Sequence, residues 1–260
     1  MTPDPDSAAA ARRLGLEYAA AISQLQASII ATEADAVLLA AVEIADRVAA
    51  DRLVFAYGPG GHSNLAAQEI FYRAGSLMHI SAILDEGTLL SSGARRSSET
   101  ERQQGYGRKV IERSALGTGD VLILVNAFGI NSAVIDAALA ARTIGATVIG
   151  LSSRDLAERM PLDHASRHPD ALNLHDIVDI HIDSKVPMGD AVLDVAASEP
   201  TGSVSTFANA FALQWIVITA ITLLVQRGID PPVWRSKNAP GGDDANARFI
   251  NRFSGRVAHL

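Results

Sequence analysis

The sequence predicts an α/β protein built on a doubly wound parallel sheet. Two apolar runs each end in a glycine-bearing turn that opens a helix-like segment: residues 53–63 read LVFAYGPGGHS, and residues 121–132 read VLILVNAFGINS. Further apolar runs alternate with helical periodicity, a pattern typical of parallel sheets. The chain has 260 residues, 48% of them hydrophobic, which suffices for the core of one large domain.

The first fifty residues predict a pair of helices. They are rich in alanine, and apolar residues recur at helical spacing. We place a turn at residues 31–35, where Thr32 as N-cap and Asp35 three positions later approach a capping box. This segment therefore reads as an N-terminal helical region, residues 1–50.

Alternating elements follow, and a terminal arm ends the chain. The predicted strands lie at 52–57, 77–83, 120–126, 146–151 and 177–182. The predicted helices lie at 63–75, 99–115, 131–144 and 203–227. We assign residues 51–228 to the sheet domain and 229–260 to a loop-rich arm, because Pro, Gly, Asn and Asp dominate residues 230–246.

Composition excludes several classes of function. A formal charge of -7 and a pI near 5.5 argue against nucleic acid or an anionic membrane surface as partner. The absence of cysteine excludes a thiolate nucleophile, and no signal peptide opens the chain, so we expect a cytoplasmic protein. Residues 207–225 are apolar over nearly a membrane span, but their flanks are not those of an anchor; we expect a core helix packed between the sheet and a partner subunit.

The glycine turns are the predicted ligand site. Helix N-termini at strand ends present free N–H groups to an anion or a sugar, and glycine permits close approach. Neither turn matches a P-loop or a dinucleotide fingerprint, so we predict no cofactor, and no histidine spacing indicates a metal. The candidate binding residues are Gly60, Gly61, Ser63, Asn126, Gly129, Asn131 and Ser132.

The two turns, about seventy residues apart, resemble the sugar isomerase (SIS) domain, a doubly wound fold that binds phosphosugars at its strand ends. Further motifs resemble a bacterial family of stand-alone SIS proteins, from about residue 15 to the C-terminus. These motifs are Gly61-His-Ser with Glu69–Gly75, Glu101–Tyr106, Pro187–Ala191, Pro200-Thr201 and Pro231–Asp243. The resemblance implies the SIS fold and a sugar-derived ligand.

Two departures from the SIS pattern bear on the ligand. The usual second turn reads S-x-S-G, whose hydroxyls hold a phosphate, and Asn126-Ala-Phe-Gly129 replaces it here. The first turn is one residue longer than the usual G-x-G-H-S. Because a hydrogen bond to a charged group contributes roughly 1.5–3 kcal/mol, we expect weaker phosphate binding and leave a sulfonated or unphosphorylated sugar open.

Five residues are candidates for proton transfer in an aldose–ketose isomerisation. Glu69 is the first candidate base, since it lies on the helix that starts at the first turn and Arg73 follows at i+4. Glu101 is an alternative base, together with Glu99, on a segment that can cap the site. His62 or His168 can assist ring opening.

The predicted activity is that of a homodimeric or homotetrameric sugar isomerase. Two arginines are further candidates for substrate binding: Arg73, and Arg235 in the polar arm, which can serve its own subunit or a neighbouring one. Two alternatives stay open: a sensor without catalytic activity, and an etherase or lyase on an amino-sugar derivative, which uses the same enolisation. No helix-turn-helix output module is evident for a sensor.

Overall fold

A computed structural model describes residues 4–260, and its first element is one long helix, α1, over Pro5–Ala49. The predicted pair of helices is therefore wrong. Residues 31–35 contain no glycine or proline to end a helix. Thr32 donates its hydroxyl to the Ser28 carbonyl at 3.2 Å, one turn back in the same helix, so it does not act as an N-cap.

Five parallel strands form the central sheet in the order β2-β1-β3-β4-β5, which confirms the predicted doubly wound fold. The strands are β1 (Val54–Tyr57), β2 (Ile80–Ile83), β3 (Val121–Val125), β4 (Thr147–Ser152) and β5 (Ile180–Asp183). The chain turns outward to β2 after β1, and to β4 on the other side after β3. The strand order thus reverses between β1 and β3, and ligands of such sheets bind where the order reverses.

The helices cover both faces of this sheet. They are α2 (Ser63–Ile70), α3 (Ala94–Glu101), α4 (Tyr106–Arg113), α5 (Ser132–Ile144), α6 (Arg154–Arg159), α7 (Leu174–Ile177), α8 (Ser205–Gln226) and α9 (Gly242–Phe253), with a 3₁₀ turn at Leu90–Ser92. The single helix expected over 99–115 is two helices, because the chain turns between them at Gly105 with a φ of 74°. A short antiparallel hairpin, β6 (Ala191–Leu193) with β7 (Thr201–Ser203), was not predicted.

Two apolar clusters bury the strands. One contains α1, α2 and α8 on one face of the sheet, and the other contains α4, α5 and α7 on the opposite face. The first cluster draws on the C-terminal half of α1, from Val37 to Val48, so this helix is part of the core of the sheet domain.

The apolar helix α8 is long enough to cross a membrane by length and composition, yet 44% of its most apolar window is buried inside the fold. Its inner face packs on the sheet, α1 and α2. Its outer face exposes Phe207, Ile218 and Val225, beside Leu65 of α2. The partner subunit expected on this face stays a prediction.

The C-terminal arm is more ordered than its composition predicts, because it contains α9. Phe253 is fully buried and packs edge-on against His79. Arg252 and His79 both contact the Asp51 carboxylate, at 2.7 and 3.1 Å. The arm therefore packs against the amino ends of β1 and β2, whereas the glycine turns follow the carboxyl ends of the strands.

Candidate functional site

A cavity of about 650 Å³ opens where the strand order reverses, beyond the carboxyl ends of β1 and β3. We call it the switch-point cavity. Both glycine turns contribute to its wall, and α3, α8 and the segment after α6 complete it. Its lining includes Gly60, Gly61, His62, Ser63, Glu101, Asn126 and Asn131, all of which the sequence singled out.

The first turn presents free donors to this cavity. Within residues 4–260, the N–H groups of Gly60, Gly61 and His62 donate to no protein acceptor. The carbonyl of Gly60 points away and accepts from the backbone N–H and the side-chain amide of Asn64, both at 3.1 Å. Since α2 begins at Ser63, the positive end of its dipole adds to these donors. The turn can therefore stabilise negative charge on an oxygen atom.

Glu101, the last residue of α3, lies directly against this turn. A β-carbon on Gly60 would come within 2.5 Å of Glu101 Oε2, and Gly60 has a φ of +125°, so glycine is required there for space and for conformation. Burial raises the pKa of the Glu101 carboxyl to about 7, although Arg102 opposes the shift. A carboxyl with such a pKa can both take up and return a proton near neutral pH.

The second turn is closed by its own side chain. The Asn126 carboxamide oxygen accepts from the N–H groups of Phe128 and Gly129, at 3.2 and 2.8 Å. Its amide nitrogen donates to the carbonyl of Pro59 at 3.0 Å, which ties the second turn to the first. Asn126 thus occupies two of the donors that a bound anion could use at this turn, while within residues 4–260 the N–H groups of Ile130, Asn131 and Ser132 donate to no protein acceptor.

The segment after β4 holds the second turn from behind. The carbonyls of Ala127, Gly129 and Ile130 accept from the N–H groups of Ser153, Leu174 and His168, at 3.0, 2.7 and 2.7 Å. A β-carbon on Gly129, which has a φ of +66°, would collide with the buried Ser152 hydroxyl. These contacts hold the second turn in place through three of its carbonyl groups.

The start of α8 forms the far wall. Asp190 has a left-handed φ of 64°, and its carboxylate accepts from the Ser205 N–H and hydroxyl, both at 2.7 Å. This carboxylate also accepts from the Val204 N–H at 3.0 Å, so it satisfies two backbone donors at the start of α8. Both residues line the cavity, with Met188 and Gly189 beside them.

Comparisons with known proteins identify the family of the chain. The SIS domain matches residues 17–153. A UPF0309 protein of Geobacillus thermodenitrificans is 35% identical over 77% of this chain and 79% of its own length. A second UPF0309 protein, from Streptomyces griseus, is 36% identical over 86% of this chain and 89% of its own. The chain belongs to the UPF0309 family of SIS-domain proteins.

Solved structures share the SIS fold at lower sequence identity. A phosphoheptose isomerase from Neisseria gonorrhoeae superposes with a TM-score of 0.53 at 17% identity, covering 82% of this chain and 97% of that one. A phosphoheptose isomerase from Francisella tularensis gives 0.50 at 15% identity, covering 81% and 95%. At these identities the likeness supports the fold.

Several predicted residues lie outside the switch-point cavity of this SIS domain. Gly129 and Ser132 are buried beneath the second turn rather than in its surface. His168 is 4% exposed, its Nε2 lies 3.4 Å from Asp136, and its Nδ1 accepts from the Asp170 N–H at 3.2 Å. Asp136 in turn accepts from the Gly105 N–H at 2.5 Å. Because Gly105 lies just beyond α3, His168 contacts the segment that follows α3 through Asp136 and does not face the cavity.

Glu69, Arg73 and Arg235 also lie away from this cavity. Glu69 sits in a shallow groove between α2 and α8, where Gln214 donates to it at 3.3 Å and Arg73 contacts it at 3.4 Å. The reason is helix geometry: six residues after Ser63, the chain has moved about 9 Å along α2, away from the strand ends. Arg73 and Arg235 line a separate pocket.

Sequence reasoning missed the part of the wall that comes from distant segments. These lining residues come from three places in the chain. They are Ser97, Ser98 and Arg102 of the α3 region, Met160, His164 and Ser166 of the segment after α6, and Met188–Asp190 with Ser205 at the start of α8. The recognised motif at Pro187–Ala191 was the available signal for the last of these. Among residues 4–260, no group of three His, Cys, Asp or Glu side chains could hold a metal ion.

Proposed function

We propose that this protein is an aldose–ketose isomerase acting on an anionic sugar derivative, with Glu101 as the proton-transferring base. The observation that carries the proposal is the Glu101 carboxyl, with a pKa raised to about 7, against the free N–H groups of the first turn. Fold likeness to the two phosphoheptose isomerases supports the reaction class by analogy.

In this proposal, Glu101 removes the proton from C2 of the open-chain aldose. The C–H electron pair forms a C1–C2 double bond, and the former carbonyl oxygen takes up negative charge. The donors of Gly60, Gly61 and His62 stabilise that charge, as an oxyanion hole does. Glu101 then returns the proton to C1, and the proton of the O2 hydroxyl passes to the O1 oxyanion, which leaves a carbonyl at C2 and gives the ketose. His62, at the mouth of the cavity, can move protons at the oxygens during ring opening and transfer.

Asn126 weakens the second turn as a phosphate site, because its carboxamide already accepts from two of that turn's donors. The proposal therefore places the substrate's sugar carbons between the two turns. In this arrangement the anionic group of the substrate lies toward Arg102, a cation that lines the cavity at the end of α3. A sulfonated sugar or a sugar acid satisfies this arrangement as well as a phosphate does.

Glu101→Gln tests the proposal, because glutamine keeps the shape but cannot act as a base. A thermal-shift screen of sugars, sugar phosphates and sulfonated sugars first identifies a ligand. With that ligand, we expect turnover and solvent-deuterium exchange at C2 to fall by about 10² to 10⁴, with affinity nearly unchanged.

Two matched variants sharpen the test. Glu99→Gln changes an exposed carboxylate on the same helix, and we expect wild-type rates from it. Glu69→Gln tests the rival base that the sequence favours. If exchange survives Glu101→Gln and disappears in Glu69→Gln, the base is Glu69 and the mechanism proposed above fails.

A further inference from the structure

Two family motifs that the switch-point cavity does not use meet elsewhere in the fold. Residues 71–75 follow α2, and residues 231–237 lead into the arm. They pair through two backbone hydrogen bonds, from Gly75 N–H to the Trp234 carbonyl at 2.8 Å and from Trp234 N–H to the Ser76 carbonyl at 2.9 Å. Between them lies a concave pocket of about 480 Å³, which we call the arm pocket. It is lined by Tyr72, Arg73, Ala74, Trp234, Arg235, Ser236, Lys237 and Asn246.

The arm pocket is separate from the switch-point cavity. Helix α2 begins at the cavity with Ser63 and ends at Ile70, and a helix of eight residues spans about 12 Å. Arg73 lies beyond its far end, near the amino ends of the strands. The two sites have no lining residue in common.

Three cations converge on the arm pocket although the whole chain carries a charge of -7. Among residues 4–260, neither Arg235 nor Lys237 has a carboxylate within 4.0 Å, and Arg73 has only the longer contact of 3.4 Å with Glu69. Asp243 interacts with Lys237 at a longer distance. Three cations in one concave site with only these distant carboxylates repel one another, and an anion relieves that repulsion. A phosphate suits them, since arginine binds its oxygens with paired donors.

An aromatic surface lies beside the cations. The rings of Tyr72 and Trp234 are 4.6 Å apart, and Tyr72 remains 40% exposed. Tyr72 also has a φ of +50°, a conformation that costs a non-glycine residue roughly 1–3 kcal/mol and is concentrated at ligand sites. The Lys237 ammonium lies over the Tyr72 ring, 5.5 Å from its centre, so a sugar or a base attached to the phosphate can pack against the part of this ring that stays exposed beside Lys237.

The arm holds Arg235 in place from below. Asn246 of α9 is 2% exposed, accepts from the Arg235 N–H at 2.9 Å and donates to the Arg235 carbonyl at 2.8 Å. Because the buried Asn246 carboxamide binds both the N–H and the carbonyl of Arg235, the backbone of this exposed arginine is held in a fixed position. The pocket is therefore preorganised on the side of the arm.

We propose that the arm pocket is a second ligand site, which binds a phosphorylated ring compound. Arg73, Arg235 and Lys237 hold the phosphate, and Tyr72 packs against the attached ring. The site is independent of the isomerase reaction proposed above, since it shares no residue with it. Glucose 6-phosphate and AMP carry the same phosphate on a sugar and on a nucleoside, so they separate the two sources of such a ligand.

Tryptophan fluorescence reports on this pocket directly. The chain has two tryptophans, so Trp215→Phe leaves Trp234 as the single reporter. In the full chain we expect a saturable change on titration with glucose 6-phosphate or AMP, competition by inorganic phosphate, and no change with glucose. The compound with the lower dissociation constant shows whether the pocket prefers a sugar or a nucleoside on the phosphate. Calorimetry on the wild-type chain gives the same comparison if Trp215→Phe does not fold.

Arg235→Gln and Lys237→Gln should each weaken this binding tenfold or more, because each removes charged hydrogen bonds to the phosphate. Arg248→Gln is the matched control: it removes the same charge from α9, where Arg248 lies over Phe249 outside the pocket, and affinity should change less than twofold. Equal losses in all three variants, or no response to either phosphate compound at millimolar concentration, would overturn the proposal. So would a sedimentation shift in Arg235→Gln without any ligand response, which would make the pocket a subunit contact.

Discussion

The turns after β1 and β3 occupy equivalent places in the sheet but differ in how many of their backbone N–H groups the protein itself uses. The first turn leaves the donors of Gly60, Gly61 and His62 free and lies under the Glu101 carboxyl. The second turn spends two donors on the carboxamide of Asn126. The first turn therefore offers all three of these donors to a ligand beside the Glu101 carboxyl, whereas the second turn has lost the donors of Phe128 and Gly129 to its own side chain.

The ionisable groups beside the two turns also differ in their protonation. At the first turn, burial raises the pKa of Glu101 to about 7. Behind the second, His181 lies 3.0 Å from the Ser152 hydroxyl, and burial with the neighbouring His175 lowers its pKa to about 4. Near neutral pH the first turn therefore faces a group that exchanges protons, while the second is backed by a histidine that stays neutral. Reactivity is concentrated at the first turn.

Gly60→Ala should produce the largest effect, because it disturbs the open turn. The added methyl group would meet Glu101 Oε2, and alanine is strained at a φ of +125°. We expect turnover to fall by about 10² to 10³ because displacing a catalytic group by about 1 Å is costly. Gly93→Ala is the control, since Gly93 has a φ of +119° but its nearest new contact is at 3.6 Å. Equal losses of activity in both variants would attribute the effect to backbone strain.

Asn126→Ser with Phe128→Ser should convert the closed turn into an open one. The change frees the donors of residues 128 and 129 and restores two hydroxyls. We expect the ratio of affinities for the phosphorylated and unphosphorylated forms of one sugar to rise about tenfold or more, since each new bond to phosphate contributes roughly 1.5–3 kcal/mol.

Calorimetric titration of both sugar forms into both proteins measures that ratio. The loss of three Asn126 hydrogen bonds should also lower the free energy of unfolding by about 1–3 kcal/mol. A wild-type protein that already prefers the phosphorylated form about a thousandfold, roughly 4 kcal/mol, would contradict the closed turn as the reason for weak phosphate binding.

The smallest effect is a pH dependence of stability that originates at the first turn. The Glu101 pKa is raised from 4.5 to about 7, so the folded state holds its proton where the unfolded state has lost it. Stability from this group is present below about pH 4.5 and is lost as pH rises to about 7. Glu101→Gln should match wild type at pH 4 and exceed it by about 1–3 kcal/mol at pH 8.

Urea unfolding at both pH values measures this difference. Glu99→Gln, on the exposed face of α3, should show no such divergence. Parallel curves for Glu101→Gln and wild type across this range would mean that the Glu101 carboxyl is solvated, and its role as a base near neutral pH would lose its support.

Local sequence determined the strands, both turns and the fold class. Apolar runs such as Val121–Val125 have no stable place except a buried strand, and a glycine turn before a helix start is a local signal. The same local signals brought Gly60, Gly61, His62, Ser63, Asn126 and Asn131 to one cavity, since all follow the carboxyl ends of adjacent parallel strands.

The tertiary structure decided which side chains face that cavity and what state they are in. No local pattern distinguishes Glu101, half-buried against Gly60, from Glu99, exposed two residues earlier on the same helix. Likewise, the hydrogen bonds of Asn126 to its own turn depend on backbone positions set by distant segments. The same is true of the backbone hydrogen bonds with Trp234 that place Arg73 and Arg235 in one pocket. Burial and proximity are properties of the packed chain, so pKa shifts and site membership followed from the fold rather than from the motif.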